Sequence, residues 1–453
     1  MTIPANAQVS LYCLRVNILP LNLIVIAGGW GLALLLPHFQ TTPSAPMLLI
    51  DTIIICLLGF SGFKLLNSPL GKSKLIKIAV VLTSLGGFVI GFVWAKLSNS
   101  HFYEIWSHFG AGTTKLNDKV FIFGDLAHLT SVADCPRPIT IGTDVCDPWG
   151  RLFNQNPDVG ELFRKLQFSS VGAIGLFSVL TFVIVFLFAI KFFKVETISP
   201  YVVLMTPMFV LALDRGNEII TITLVLIGII GLNKNQNSPQ IFGSIMLFFA
   251  AMLKLWPIFI IFFLLMYHWT RLKFSARIAL IIPFIYWSLK GHEIKAIMKA
   301  TQEGSPFGTS FGLRLFASPQ LNPTQIFVLC CITIGLTTLL IKTGNLHLNE
   351  FLGSKSGTEV TRWVAPLMLT YVAIWASGGS FIYRMVILLP LVLILSSRDV
   401  VEHRWSQFLT SSILVTLISS RLPVTIAVSS ALALYFIFFV FNARRVGTSA
   451  LHM

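Results

Sequence analysis

Long apolar runs separated by short polar connections recur along the whole chain and constrain its fold more than any other feature. With 55% hydrophobic and 11% charged residues, the chain is far from soluble domains, in which about 25% of residues are charged. Several runs are shorter than the roughly 20 residues that cross a hydrocarbon core, so some spans are tilted, broken or re-entrant. The pattern predicts an all-α polytopic membrane protein with about 11–14 transmembrane helices. The runs lie near residues 17–37, 47–66, 76–97, 167–193, 199–213, 218–232, 239–253, 256–268, 275–289, 325–342, 363–377, 381–397, 405–420 and 423–441.

The basic residues predict the orientation of these spans. The first run has one Arg before it and no small-residue cleavage site after it, so we interpret it as a retained span rather than a signal peptide. If the N-terminus is cytoplasmic, the inside connections hold 18 of the 33 Lys and Arg residues, and the short outside connections hold about half as many. This bias explains most of the net charge of +15 and removes the need for a nucleic-acid partner. We expect a multi-pass protein of a bacterial inner or plasma membrane, surrounded by the lipid bilayer.

One connection, 98–166, differs from all the others. It holds eight acidic and six basic residues, while the rest of the chain is strongly basic. Tyr103, Trp106, Trp149 and several Phe residues supply a small apolar core, which favours a folded external subdomain over a linker. We therefore divide the chain into a two-helix N-terminal addition (1–66) and a transmembrane core (67–453). The core includes the loop subdomain (98–166) and an external interfacial helix with a flap (290–324).

Two cysteines, Cys135 and Cys146, lie in this loop 11 residues apart, separated by "PRPITIGTDV". On an external face this pair suits a disulfide, because the intervening turn-forming residues let the chain reverse. A Cys/Asp metal site is the alternative. The disulfide is favoured because neither a Cys-x-x-Cys motif nor a His at ligand spacing supports zinc.

The segment "FIFGDLAHLTSVADC" predicts a helix lying along the membrane surface, with Asp125 and His128 on its polar face. Asp125 follows Gly124, so capping of the helix N-terminus is the structural alternative to a chemical role. A second acidic group contains Asp144 and Asp147, which turn chemistry also explains.

Three polar breaks between apolar runs reach the same predicted external face. They are Asp214 to Glu218 in "LALDRGNEII", "KLWP" at Lys254, and "GGSFIYR" ending at Arg384. Ionisable groups at membrane depth usually mark a substrate or ion path. Alternatively, Asp214 pairs with Arg215 while Lys254 and Arg384 extend to the headgroups. The convergence of the breaks beside Gly and Pro favours a shared site, in which Asp214 and Glu218 orient Arg215.

Guanidinium and ammonium groups at this depth suit a lipid phosphate. The sequence resembles the polyprenol-phosphate-dependent glycosyltransferases of the GT-C class, most closely the family 87 type, which includes mannosyltransferases. The similarity rests on Arg215-Gly216-Asn217, on Lys254-x-Trp256-Pro257 one helical hairpin later, and on an early external loop with an Asp in a helix. These motifs are short, and it is their order and common sidedness within residues 76–400 that carry the resemblance.

The resemblance implies inverting transfer of a sugar from a polyprenyl-phosphate donor to a hydroxyl of a glycan or glycolipid, on the periplasmic or exterior face. It implies that Asp125 is the general base. Because no cluster in the sequence resembles a dedicated divalent-metal site and a phosphate paired with Arg or Lys has less need of one, we expect no metal cofactor. The predicted donor-binding residues are Arg215, Asn217, Lys254, Tyr383 and Arg384. Secondary site candidates are His128, Asp144, Asp147, Asp214 and Trp256, of which Asp144 and Asp147 are the alternatives to Asp125 as the base. The chain departs from the family pattern at Trp256, where Tyr is more common, at "FNQNP", and in the two runs that precede the loop-bearing span.

Two other functions stay open at this point. A secondary transporter or flippase would also place charge at helix breaks, but its ionisable residues usually lie near the midplane between repeated halves. A lipid-linked oligosaccharide polymerase or ligase also works externally with cationic residues. Its large external loop tends to come late in the chain, whereas here the loop is early.

Overall fold

The computed structural model describes residues 115–116, 119–120, 123–143, 145–147, 153–204, 206–300, 321–377, 382–418 and 425–450. The predicted N-terminal addition (1–66), the span 76–97, Trp149, Asp144 and the flap 301–320 lie outside the described residues. The side chains of Asp214 and Tyr383 also lie outside them, although both residues belong to helical segments.

The described chain is almost entirely helical, as the composition predicts. Its strands are a two-residue antiparallel pair, β1 (Lys115–Leu116) and β2 (Lys119–Val120), with Lys115 opposite Val120. The loop and first hairpins contain α1 (Gly124–Asp134), α2 (Pro157–Lys165), α3 (Val171–Phe192), α4 (Ser199–Val203), α5 (Pro207–Arg215), α6 (Asn217–Asn233), α7 (Asn237–Leu253) and α8 (Pro257–His268). There follow α9 (Phe274–Leu289), α10 (Gly291–Ala300), α11 (Pro323–Gly353), α12 (Lys355–Ala376), a 3-10 helix (Ile382–Ile387), α13 (Leu388–Leu395), α14 (Arg404–Ile418) and α15 (Thr425–Ala450).

Three of the described helices are long and apolar enough to cross a membrane. They are α3, α11 and the Thr425–Ala443 part of α15. Helices α6, α7, α8 and α9 are apolar but shorter, at 12 to 17 residues, as is the segment Arg384–Leu395. A helix rises about 1.5 Å per residue, so these segments reach less than about 30 Å unless they are continued by their neighbours.

Helix α11 is longer than the apolar run 325–342 predicts, because it continues to Gly353. It starts at a capping box between Asn322 and Gln325, and Pro323 occupies its first turn. Beyond residue 342, Leu348, Phe351 and Leu352 are buried at helical spacing. Their packing explains why the helix continues through the more polar segment 343–353.

The hairpin of α6 and α7 positions the start of α6 next to the end of α7, and both ends contribute residues to the candidate site described below. Gly228, Gly231 and Gly243 lie where the two helices touch, and a methyl group at Gly231 would come within 2.6 Å of the Pro239 carbonyl oxygen. Such close backbone approach needs residues without side chains. Because the helices are antiparallel, the first residues of α6 lie beside the last residues of α7.

A sharp turn at Gly216 joins α5 to α6, as the sequence predicts. Gly216 has a φ of 71°, and a Cβ built there lies 3.0 Å from Leu126 Cβ and 3.1 Å from Phe123 Cβ. Both the dihedral and the packing therefore require glycine. The turn places Arg215 and Asn217 on either side of a backbone reversal that is packed against α1.

We expect Gly216→Ala to lower the free energy of unfolding by about 1–3 kcal/mol, because it forces a Cβ into the left-handed region beside α1. Thermal unfolding in detergent measures this loss. Gly335→Ala is the matched control, since Gly335 lies within α11 and a Cβ added there would meet no atom within 4 Å. An equal melting temperature for Gly216→Ala and wild type would contradict the packing assigned to the turn.

Helix α1 forms as predicted, but the polar face predicted for it is mostly not exposed. Leu126, His128, Leu129 and Val132 are all buried, and Asp134 is the exposed residue of the helix. The Phe123 ring fits a notch at Gly175 of α3, where any side chain would overlap the ring. The predicted polar face of α1 is therefore mostly buried, because α1 packs against α2, α3 and α5 on several sides, and its position along the membrane surface stays a prediction.

The loop subdomain is fastened by covalent and polar contacts. Cys135 and Cys146 form a disulfide with a Cα–Cα distance of 5.6 Å. Arg164 of α2 donates to the carbonyl oxygens of Val132, Cys135 and Arg137, which ties α2 to the end of α1. The loop that carries the disulfide is thereby held on the same support as α1.

A second set of contacts joins α2 to the helical bundle. Asn156 caps α2 and donates to the Met252 carbonyl oxygen, close to Lys254 in the chain. Asp158 Oδ2 lies 2.6 Å from the Tyr286 hydroxyl and 2.7 Å from Lys290 Nζ. Partial burial favours the neutral acid, but the bonds from Lys290 and Tyr286 outweigh it and lower the pKa of Asp158.

This lowered pKa predicts an acid-sensitive attachment. The contribution of Asp158 to stability is present above the ordinary pKa near 3.8 and is lost as the pH falls through the lowered folded-state value. We expect the difference in melting temperature between wild type and Asp158→Asn to stay constant at neutral pH, to shrink as the pH falls below 3.8, and to vanish below the lowered pKa of Asp158 in the folded protein. Glu161→Gln on the same helix serves as the control, and a difference that persists in acid would contradict the assignment.

Candidate functional site

Side chains from separate segments meet in a charged cluster, which consists of Asp125, Arg215, Glu218, Lys254 and Arg384. Asp125 Oδ1 lies 3.5 Å from Arg215 Nη1, and Asp125 Oδ2 lies 3.9 Å from Lys254 Nζ. Lys254 Nζ is also 3.8 Å from Glu218 Oε1. The structure thus brings together residues from the acidic loop and from two of the three polar breaks in direct ionic contact.

The local fold explains why these side chains converge. Asp125 lies in the first turn of α1, which packs on α5 at the point where α5 ends in Arg215. Glu218 lies in the first turn of α6, and Lys254 caps the C-terminal end of α7. The antiparallel hairpin brings these last two together, and the turn at Gly216 keeps Arg215 beside them.

Glu218 has a different role from the one that its sequence position suggests. The sequence predicts that it orients Arg215, but its carboxylate contacts Lys254 and accepts a hydrogen bond of 3.1 Å from Trp256 Nε1. Trp256 is 4% exposed and Glu218 is fully buried. Glu218 therefore holds Lys254 and Trp256 in place. The predicted secondary candidate Trp256 supports the cluster through this indole donor.

The third polar break also reaches the cluster. Arg384 lies in the 3-10 helix, which packs against α5 and α6, and it is close enough to interact electrostatically with Glu218 and Lys254. Its neighbour Tyr383 shares the 3-10 segment, and the side chain of Tyr383 is outside the described part. The same applies to Asp214 in α5, so its predicted pairing with Arg215 lies outside the described side chains.

Burial makes this cluster energetically demanding. The side chains of Asp125, Arg215 and Lys254 are 13%, 18% and 8% exposed, and that of Glu218 is 0% exposed. Charges removed from water in this way need partners, because desolvation costs several kcal/mol per ion. Counted over the described side chains, three cations face two carboxylates. The described cluster therefore carries one excess positive charge.

Asn217 adds neutral hydrogen-bonding groups next to these charges. Its side chain is fully buried, and both amide atoms make no hydrogen bond within the described protein. Buried polar groups nearly always have a partner, so this amide fits a position that receives one from a ligand or a water molecule. Asn217 lies between Arg215 and Glu218 in the chain, and its role in holding donor oxygens stays a prediction.

Two secondary candidates, His128 and Asp147, do not join the cluster. His128 Nδ1 lies 3.1 Å from Asp147 Oδ1, and the imidazole stacks on Phe153 with ring centroids 5.5 Å apart. Both residues are buried in the loop subdomain. Of the loop carboxylates with described side chains that the sequence offered as a base, Asp125 is the one that reaches the cations.

The capping alternative for Asp125 is compatible with its place in the cluster. The residue at the N-cap of α1 is Phe123, which makes no side-chain cap hydrogen bond. The negative charge of Asp125 in the first turn still suits the positive end of the helix. Within the described residues, no three His, Cys, Asp or Glu side chains are grouped for a metal ion.

The sequence analysis did not identify the partners of Glu218. It also did not identify Asn156 as the residue that caps α2 and donates to the Met252 carbonyl oxygen. Asn156 precedes Pro157, a pattern that indicates a helix start, and this signal was present in "FNQNP". What the pattern does not disclose is that the same amide reaches Met252. This contact connects the loop subdomain to the end of the helix that supplies Lys254.

No protein-family model, curated protein or solved structure matches this chain. The functional interpretation therefore depends on the geometry of the charged cluster and on the sequence motifs that supply it. What that geometry offers chemically is a partly buried set of cations, a carboxylate between them and an amide beside them.

We expect Glu218→Ala to lower stability by about 3–5 kcal/mol, because it removes one of the two described carboxylates beside the buried Lys254 and the acceptor of the Trp256 indole. The melting temperature in detergent measures the loss. Glu359→Ala is the control, since Glu359 is 61% exposed in its pair with Arg271 and surface pairs contribute about 0–1 kcal/mol. A double variant Glu218→Ala/Lys254→Met should recover part of the stability, and a loss equal to or greater than that of Glu218→Ala would contradict the pairing.

Proposed function

We propose that the protein is a multi-pass membrane glycosyltransferase of the GT-C type. It transfers a mannose-like hexose or a pentose from a polyprenyl-phosphate donor to a hydroxyl of a glycan or glycolipid acceptor. The observation that carries the proposal is the contact of Asp125 with both Arg215 and Lys254 at distances of 3.5 and 3.9 Å. A candidate base thus lies directly beside the cations that suit the leaving phosphate.

The cations bind the donor phosphate and stabilise its departure. Negative charge grows on the phosphate oxygen as the bond to the anomeric carbon breaks, so Arg215, Lys254 and Arg384 stabilise the transition state more than the ground state. Asn217 holds a donor oxygen with its otherwise unpartnered amide. Glu218 and Trp256 keep Lys254 in position.

Asp125 deprotonates the acceptor. Its carboxylate takes the proton from the acceptor hydroxyl as that oxygen attacks the anomeric carbon on the face opposite to the phosphate. The single displacement inverts the configuration at that carbon. Partial burial of Asp125, at 13% exposure, strengthens these electrostatic effects relative to water.

The distribution of basic residues supports an extracytoplasmic site. Lys191, Lys194, Lys234, Arg271 and Arg398 lie in or beside connections at the end of the described bundle away from the cluster. Basic residues favour the cytoplasmic side, and this supports a cluster that faces the periplasm or exterior of a bacterial inner or plasma membrane. The apolar helices α3, α11 and α15 provide spans in the bilayer.

A transporter fits the geometry less well. Transporter sites usually lie near the bilayer midplane, at discontinuous helices. Here the cluster lies at helix ends, where the turn between α5 and α6 meets the C-terminal end of α7 and the first turn of α1. The loop carboxylate in direct contact with two cations favours chemistry at an aqueous boundary.

We expect purified protein to transfer sugar from a polyprenyl-phosphate donor in vitro. Asp125→Asn should lower kcat by about 10²–10⁴-fold, since it removes the general base. Arg215→Ala should lower it by about 10²-fold or more, since it removes stabilisation of the leaving phosphate. Product formation is followed with radiolabelled sugar on a series of hexose and pentose donors.

The controls come from an exposed ion pair at the other end of the bundle, Arg271 with Glu359. Arg271→Ala and Glu359→Gln remove the same types of charge and should retain full turnover. Full activity of folded Asp125→Asn would refute the base assignment. Absence of transfer from every polyprenyl-phosphate sugar, with vectorial movement of a substrate across vesicles instead, would favour a transporter.

A further inference from the structure

The carboxylate of Asp125 pairs with two of the cations that the proposed function assigns to the donor phosphate. Each of its two oxygens faces one cation, Oδ1 facing Arg215 and Oδ2 facing Lys254. A phosphate bound to the same two cations presents two oxygens in the same way. Asp125 in its charged form therefore competes with phosphate for Arg215 and Lys254.

Protonation of Asp125 makes the cluster more positive and so favours the more negative ligand. Asp125 is faced by Arg215 from α5 and Lys254 from the end of α7, with Glu218 and Arg384 in electrostatic range of Lys254. The described side chains sum to one positive charge, and moving a proton from Lys254 to Glu218 does not change that sum. When Asp125 accepts a proton, the charge of the site rises by one unit.

We propose that the charge state of Asp125 switches the affinity of the site between the sugar phosphodiester and the phosphate monoester that is left after transfer. This inference rests on the proposed function. The donor phosphodiester carries one negative charge, and the lipid phosphate product carries two near neutral pH. Ionised Asp125 therefore favours the donor relative to the product, and protonated Asp125, which leaves the site one unit more positive, favours the product. Loss of the proton from Asp125 then expels the product.

The proposed transfer step conserves atoms, electrons and charge. The acceptor oxygen forms a bond to the anomeric carbon, and its proton moves to Asp125. The bond between that carbon and the phosphate oxygen breaks, with its electron pair going to the phosphate. One negative charge leaves Asp125 and one appears on the phosphate, so the total charge of the site and its ligands does not change during the step.

The first test measures binding of farnesyl phosphate, a short prenyl monophosphate, to protein in detergent. Asp125→Asn carries the neutral form permanently and should bind this probe about tenfold more tightly than wild type, although it loses transfer activity. Glu359→Gln should bind as wild type does. In the double variant Asp125→Asn/Lys254→Met the gain should disappear. Equal or weaker binding by folded Asp125→Asn would overturn the proposal.

A second measurement uses the wild-type protein and does not depend on a variant folding. Binding of farnesyl phosphate at about pH 7.5 should be accompanied by uptake of up to one proton per ligand, because the phosphate dianion favours the protonated form of Asp125. Calorimetry in two buffers with different ionisation enthalpies gives this number. Binding without proton uptake would also overturn the proposal.

These outcomes are separable from the proposed function. If no donor supports sugar transfer but Asp125→Asn binds farnesyl phosphate more tightly with matching proton uptake in wild type, the switch stands and the glycosyltransferase assignment fails. If wild type transfers sugar and Asp125→Asn shows no gain in affinity, the switch fails alone. Comparison with farnesol shows that the phosphate, rather than the prenyl chain, accounts for the gain.

Discussion

The rest of the structure around the site depends on one electrostatic constraint, the pairing of charges that are largely removed from water. Lys254 is 8% exposed and lies between two carboxylates, Asp125 and Glu218, at 3.9 and 3.8 Å. An unpaired charge at such a place is costly, so the hairpin, the turn at Gly216 and helix α1 must all hold their positions for the cluster to exist. The close glycine contacts between α6 and α7 are one means by which the chain meets that requirement.

Support for the cluster is unequal on its two sides. On the bundle side, the fully buried Glu218 and the Trp256 indole fix Lys254 through short contacts. On the loop side, Asp125 belongs to a helix held by the Cys135–Cys146 disulfide region and by Asn156, which reaches the end of α7. Among the described residues, it is the loop side that supplies the carboxylate paired with Arg215. Under the proposed function, the base therefore comes from a subdomain that is attached separately from the helices that supply the cations.

Several features could be predicted from the sequence because they depend on local rules. The helical, apolar character follows from composition, the reversal at Gly216 follows from an Arg-Gly-Asn between apolar runs, and the convergence of Arg215, Lys254 and Arg384 follows from counting spans. Other features depended on tertiary packing. The polar face expected for α1 became mostly buried, α11 extended to Gly353, and Glu218 paired with Lys254 instead of Arg215. Periodicity specifies which residues share a face but not which neighbours cover that face.

The sequence by itself determined the class of structure and the residue types at the site. Long apolar runs in a bilayer form helices, because a lipid environment offers backbone N–H and C=O groups no other hydrogen-bond partner. Charged residues within such runs usually mark a functional site. Only the tertiary structure decided which carboxylate meets the cations. Asp125 and His128 are three residues apart on one helix, yet Asp125 turns to Arg215 and Lys254 while His128 turns to Asp147. The helices and loops packed around α1 decide which partner each side chain contacts. The spacing of residues along the chain does not specify those neighbouring elements.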